Sequence, residues 1–249
     1  MPNIRWLSFS GFGLLAAVWE LAAQLLTSPV FPPFSRVVPA LWYLVWSGQA
    51  WQHTLVSLQH ISLGFLWAAI SGVSIGIAMT QYRPLALIVT PLVDAVRPVA
   101  ALTIFPLLIL ILGVGLWSKT MVIWWTAWPP ILLTTVQSVR QVDPFVIEAA
   151  YLDGAGRRAM LTWIILPLAT PGIITGLRIG LGSGWISLVA AEMLGSSAGL
   201  GYAILVSSQT FAFPAMYAVI IWIALIGLIM NSTLAYAQHI VEVQLCVHT

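Results

Sequence analysis

The sequence predicts an all-α fold, a polytopic transmembrane bundle of about six helices with short helices on its cytoplasmic side. Three observations carry this. Of the 249 residues, 60% are hydrophobic and only 6% charged, whereas a soluble domain carries roughly 25% charged residues. Mean hydropathy is +0.99. Six apolar stretches also reach the ~20 residues that a helix needs to cross ~30 Å of hydrocarbon at ~1.5 Å per residue.

The first predicted span covers about 5–27. Its apolar run, Ile4 to Leu26, is long and lacks a small-residue cleavage pattern after a short core, so it reads as a permanent helix and not a signal peptide. Pro29, Pro32, Pro33 and Pro39 interrupt the chain next. Residues 36–50, with Trp42, Tyr43, Trp46 and Trp51 nearby, predict a short helix lying at the membrane surface, where aromatic rings concentrate. A second span, about 54–80, closes in the tight turn Gln81-Tyr82-Arg83-Pro84. The third, about 86–112, contains Pro91, Pro98 and Pro106 and should be kinked or broken. Such a break is tolerated in a membrane where neighbours or water satisfy the freed carbonyls. Beside a cavity it would serve as a gate, with simple curvature as the alternative. The remaining spans are predicted at about 118–139, 168–194 and 212–240, and residues 1–249 make one domain.

Two helices carry small residues at every fourth position. Gly64, Ala68, Gly72, Gly76 and Thr80 form a ridge on the second span, and Gly172, Gly176, Gly180 and Gly184 form one on the fifth. Such ridges let backbones approach closely in lipid. They suit tight packing within one subunit, or a face lining a pore or meeting another subunit.

Charge sets the orientation. With a cytoplasmic N-terminus, the inner segments hold Arg5, Arg83, Arg140, Arg157 and Arg158, and the outer ones Arg36 and Lys119. That bias follows the positive-inside rule and places both termini in the cytoplasm. A net charge of +2 without a basic patch argues against nucleic acid. The single Cys246 excludes an internal disulfide, and His53, His60, His239 and His248 lack metal-site spacing. No catalytic or metal-binding constellation emerges.

The segment between the fourth and fifth spans, 140–167, departs from this pattern. It holds Arg140, Asp143, Glu148, Asp153, Arg157 and Arg158, six of the sixteen charged residues. Asp143-Pro144 reads as a helix start, with Asp at the cap and Pro at the first position. A short helix through Leu152 should follow, then a turn at Gly154 and Gly156, then a second short helix over about 157–165. A passive connection needs only a few residues, so this charged helix–turn–helix reads as a docking surface.

Within it, Glu148-Ala149-Ala150, three residues, Gly154, nine residues, Ile164, one residue and Leu166-Pro167 resemble, at full spacing, the EAA motif of ABC importer permeases. Segments around Arg97-Pro98-Val99, Gly176-Leu177-Arg178 and Ala190-Ala191-Glu192-Met193 look like the nitrate/sulfonate/taurine/bicarbonate permease group of that binding-protein-dependent family. Tyr151 stands where that group usually has Arg, and the tail from Gln244 lacks a basic end. The resemblance implies a type I importer permease in a bacterial inner membrane, itself no enzyme. Glu148, Ala149, Ala150, Gly154, Ile164, Leu166 and Pro167 would belong to coupling helices. The implied partners are two cytoplasmic ATPase subunits that bind ATP and Mg, a second permease copy forming a homodimer, and an extracytoplasmic substrate-binding protein. This chain would hold no cofactor. The cargo would be a small anionic solute.

Glu20, Asp94, Arg97, Arg178 and Glu192 fall inside predicted spans, where a central charge costs roughly 2.5–3.5 kcal/mol on insertion scales. Arg97, Arg178 and Glu192 are the candidate path residues, with interhelical pairing as the competing role. Gly113 to Thr120 approaches a phosphate loop, but Ser118 replaces a required glycine and no strand precedes it. The functional alternatives are a self-contained secondary transporter or channel and an intramembrane enzyme. The first usually shows repeated halves, which are not visible here. The second needs convergent catalytic groups, which Glu20, Asp94 and Glu192 on separate helices do not supply.

Overall fold

A computed structural model describes residues 4–26 and 28–247, and every regular element among them is helical. In order these are α1 (Ile4–Leu26), α2 (Phe34–Trp46), α3 (Gln49–Gln81), α4 (Arg83–Val96), α5 (Ala101–Leu112), α6 (Leu116–Arg140), α7 (Pro144–Leu152), α8 (Arg157–Ala159), a π-helical stretch (Met160–Ile165), α9 (Leu166–Gly195), α10 (Leu200–Gln209) and α11 (Phe213–Val247). His248 lies outside the described residues, as do the side chains of Arg5 and Cys246.

Among the described residues, length and composition qualify three helices to cross a membrane: Gln49–Gln81, Arg157–Gly195 and Phe213–Val241. A fourth is gained if α4 and α5, bent by 99° at their break, count as one span. Two of the expected spans, α1 and α6, are not among these. In α1 the apolar helix described is Gly13–Leu26. α6 is long enough, but Trp117, Trp124, Trp125, Trp128 and the pair Pro129-Pro130 lower its hydropathy. It is also an interior helix and has little need of an apolar coat, since Lys119, Val122, Ile123, Ala127, Ile131, Leu132 and Thr135 are all buried.

The chain divides into two compact units, Met1–Val56 with Ser197–Ile226, and Ser57–Ser196 with Gly227–Thr249. In the first, the expected surface helix runs over Phe34–Trp46 and not to residue 50, because Gln49 and Ala50 already open α3. Pro33 cannot cap α2, and the Glu20 carboxylate does so instead. It accepts from the Ser35 backbone N–H at 3.0 Å and from the Ser35 hydroxyl at 3.0 Å. Glu20 is therefore a structural cap, satisfying amides that a helix start leaves open. Trp19 packs against Phe31, Phe34 and Tyr217, and its indole donates to the Pro32 carbonyl at 3.1 Å. The Trp222 indole likewise donates to the Thr54 hydroxyl at 2.9 Å.

In the second unit α6 is clasped by the two glycine ridges. A Cβ on Gly64 would stand 2.6 Å from Ile123, one on Gly72 2.8 Å from Ile131, and one on Gly76 2.9 Å from Thr135. From α9, a Cβ on Gly176 would meet Thr134 at 2.8 Å and one on Gly180 would meet Ile131 at 2.5 Å. Gly172 abuts Ser138. Ile131 is thus gripped by both ridges, and the role these glycines fill is packing within one subunit. The phosphate-loop look-alike is the start of α6, where Ser118, Lys119 and Thr120 are buried. Lys119 is therefore no outer-loop charge.

Candidate coupling loop and pathway cavity

The loop is built from local chemistry. Asp143 caps α7, its carboxylate accepting from the Phe145 N–H at 2.9 Å, with Pro144 as the first helical residue. The other end closes in a Schellman arrangement. The Gly154 N–H donates to the Tyr151 carbonyl at 3.1 Å and the Ala155 N–H to the Ala150 carbonyl at 3.0 Å. Gly154 takes φ +81°, the left-handed region where a side chain is disfavoured.

Helical spacing then splits the motif between two faces. Ile147 and Ala150, three apart, pack with Ala155 and Ile164 against a cluster of Val139, Val142, Met160, Ile165, Ala169 and Ile173. Glu148 and Ala149 are exposed together with Phe145, Tyr151 and Leu152, the last 85% exposed. Ala149 and Ala150 therefore have different surroundings, one open and one packed. The expected second short helix, 157–165, does not stand alone. Arg157–Gly195 is one continuous helix with a π-helical stretch just before Leu166-Pro167. A proline removes the bond to the carbonyl four residues back and crowds it, and a wider local turn absorbs this without a break. Trp163 is exposed on this stretch.

The three path candidates separate. Arg97 sits in the break between α4 and α5 and lines a cavity of about 410 Å³ with Trp125, Thr126, Pro129, Ser183 and Ser187. The cavity joins the broken third span to α6 and the glycine-rich α9. Among the described residues no ion pair links Asp94 to Arg97.

Arg178 faces elsewhere. At about 100° per residue, Ser187 lies nine positions on and on the opposite face of α9. The Arg178 guanidinium donates to Asn231 Oδ1 at 3.3 Å and to Gln238 Oε1 at 3.0 Å, tying α9 to α11. Asn231 and Gln238 are two turns apart on an apolar helix, a spacing visible in the sequence.

Glu192 is fully buried and does not face the cavity. The Ser57 hydroxyl lies 2.9 Å from each of its carboxylate oxygens, and His60 Nδ1 is 3.0 Å from Oε1. Lys119, buried in the first turn of α6, adds electrostatic attraction. The group ties α3, α6 and α9 together, as an intramembrane carboxylate requires. Ser57, His60 and Lys119 escaped sequence reasoning as its partners, because nothing local connects positions so far apart in the chain.

Residues 64–242 match the family described as "Binding-protein-dependent transport system inner membrane component". The chain is 35% identical to the taurine transport system permease protein TauC of Escherichia coli, over 90% of this chain and 84% of that one. It is 32% identical to the putative aliphatic sulfonates transport permease protein SsuC of Bacillus subtilis, over 88% and 80%. Among solved structures, an inward-facing MetNI methionine ABC transporter superposes with a TM-score of 0.65 at 19% identity, covering 82% of this chain and 98% of that one, a likeness of fold.

Proposed function

Because the chain belongs to the binding-protein-dependent transport system inner membrane component family and is the permease component of an ABC transporter, we propose that its α7 loop receives the thrust of a cytoplasmic ATPase. Two copies form the pathway, two ATPase subunits bind ATP and Mg, and an extracytoplasmic binding protein delivers the cargo. Both termini and the α7 loop lie on the cytoplasmic side of the inner membrane. The single observation that carries this is the two-faced α7. Ile147 and Ala150 fasten it to the base of α9, while Phe145, Glu148, Ala149, Tyr151 and Leu152 stand open. A push on the open face reaches α9 through packed side chains, as a rigid-body transition requires.

The cargo is a small solute with an anionic group, as are the taurine and aliphatic sulfonates named for the relatives, and Arg97 meets that group at the helix break. Glu148→Arg should leave the protein folded while abolishing co-purification with the ATPase or its coupled turnover. Arg97→Gln should keep that association and lose uptake. Wild-type coupling in the first variant or wild-type uptake in the second refutes the corresponding role.

A further inference from the structure

A second cavity, of about 370 Å³, is lined by Arg83, Ala86, Leu87, Thr90 and Pro91 of α4 and by Arg140 at the end of α6. It lies within one compact unit and shares no lining residue with the Arg97 cavity.

Its charge is unbalanced. Among the described residues no ion pair or hydrogen bond engages the guanidinium of Arg83 or Arg140. The acids nearest in sequence do not line the cavity. Asp143 caps α7, and Asp94 stands ~16 Å further along α4. Arg140, in the last turn of α6, answers the negative end of that helix dipole. Arg83 has no such account. It is the first residue of α4, where the positive end of the dipole adds to its charge, and the first turn holds no acidic residue. Positive charge thus gathers at one cavity with no counter-charge from the chain.

The rest of the lining is mostly apolar and elongated. Ala86, Leu87, Thr90 and Pro91 follow Arg83 at the spacing of one helix face, so the lining extends ~12 Å along α4 from its charged end. The adjoining face of α4, with Leu85, Val89 and Val93, packs against Met79, Leu132 and Val136 and fixes the helix in place. Tyr82, exposed beside Arg83, is of the type that gathers at headgroup level. An occupant therefore meets two guanidiniums at one end and, apart from the Thr90 hydroxyl, hydrocarbon along the other. A free phosphate would use only the first of these.

We propose that this cavity holds an anionic phospholipid of the cytoplasmic leaflet, its phosphodiester between Arg83 and Arg140 and the start of an acyl chain along Ala86, Leu87 and Pro91. A guanidinium fork matches phosphate oxygens, and basic pockets between helices at the cytoplasmic end suit such headgroups. The leaflet follows from the cytoplasmic placement of the α7 loop at the same end of α6. Neither the pathway role of Arg97 nor the coupling role of α7 enters the argument.

The permease assembled with its ATPase subunits is exchanged into micelles holding equal amounts of phosphatidylglycerol and phosphatidylcholine with the same acyl chains. Native mass spectrometry counts the lipids retained. At about fivefold per arginine, the wild type should favour phosphatidylglycerol by roughly thirtyfold at one site. Both arginines are exposed, so neutralising them removes no packing. Arg83→Gln and Arg140→Gln should each lower the preference about fivefold, and together they should abolish it. The double variant R83K/R140K should keep most of it. Arg157→Gln with Arg158→Gln removes two arginines outside the cavity and should leave it intact. Equal retention by the wild type, an undiminished preference in R83Q/R140Q, or the same loss in R157Q/R158Q overturns the site. Release of phosphatidylglycerol by excess inorganic phosphate overturns the lipid in favour of a free anion. Uptake by Arg97→Gln and ATPase association of Glu148→Arg test the transport reading separately.

Discussion

Gly180 and Gly182 lie two residues apart on α9, and replacing each by alanine should have opposite effects. Both substitutions gain the same helix propensity, about 0.8–1.0 kcal/mol. At Gly182 a Cβ meets nothing within 4 Å, so the gain stands alone. At Gly180 it would lie 2.5 Å from Ile131 Cγ1 and 2.9 Å from the Ala127 carbonyl oxygen. Ile131 cannot retreat, because Gly72 of α3 holds it from the other ridge. Overpacking of this kind costs about 1–3 kcal/mol, so Gly180→Ala should be neutral to ~2 kcal/mol destabilising. The propensity terms cancel in the difference, which is the overpacking itself, a factor of roughly 5 to 150 in the unfolding equilibrium. Reversible unfolding in mixed detergent micelles, followed by far-ultraviolet circular dichroism, measures it. Equal midpoints for the two variants would refute the clasp around α6.

Glu192→Ala should be far more costly. It leaves Lys119 buried without its acid and takes the partner from Ser57 and His60, about 3–5 kcal/mol for breaking a buried pair; Glu192→Gln, which can still accept from Ser57, should lose less, and folded yield in detergent ranks the two. Gly154→Val forces a β-branched residue to φ +81° and should cost at least ~1–2 kcal/mol locally. Faster amide exchange confined to α7 and its turn is the readout, and unchanged exchange would contradict the Schellman closure. Asp143→Ala removes the cap on the Phe145 N–H and should cost ~1 kcal/mol, seen as fraying of the first turn of α7.

The parts of this chain that could be read in advance are those whose chemistry is local. Asp143-Pro144 and Gly154 bound α7 because a cap and a left-handed turn need particular residues at fixed offsets. Pro98 marks the α4–α5 break for the same reason. Pro167 misled, since a proline just inside a helix reads as a boundary while a π-helical stretch can carry the chain across it. Lys119 misled differently: counting charges assigns it to a loop, but it is buried in the first turn of α6, in the field of Glu192 far away in sequence.

The glycine ridges lie between these cases. Their four-residue period shows that something must approach closely, but a period contains no information about the partner. That partner is α6, the helix whose own apolar signal is weakest, and the two facts have one cause. A helix held between two ridges has little lipid to face, so its packing does not require an apolar coat. Trp125, Thr126, Pro129 and Pro130 can then occupy membrane depth. The residues that hide α6 from a hydropathy scan, Trp125 and the Pro129-Pro130 pair, are among those that line the cavity. In this fold the strongest apolar signals belong to helices with few buried residues, and the cavity is lined in part by the weakly apolar, well-packed α6.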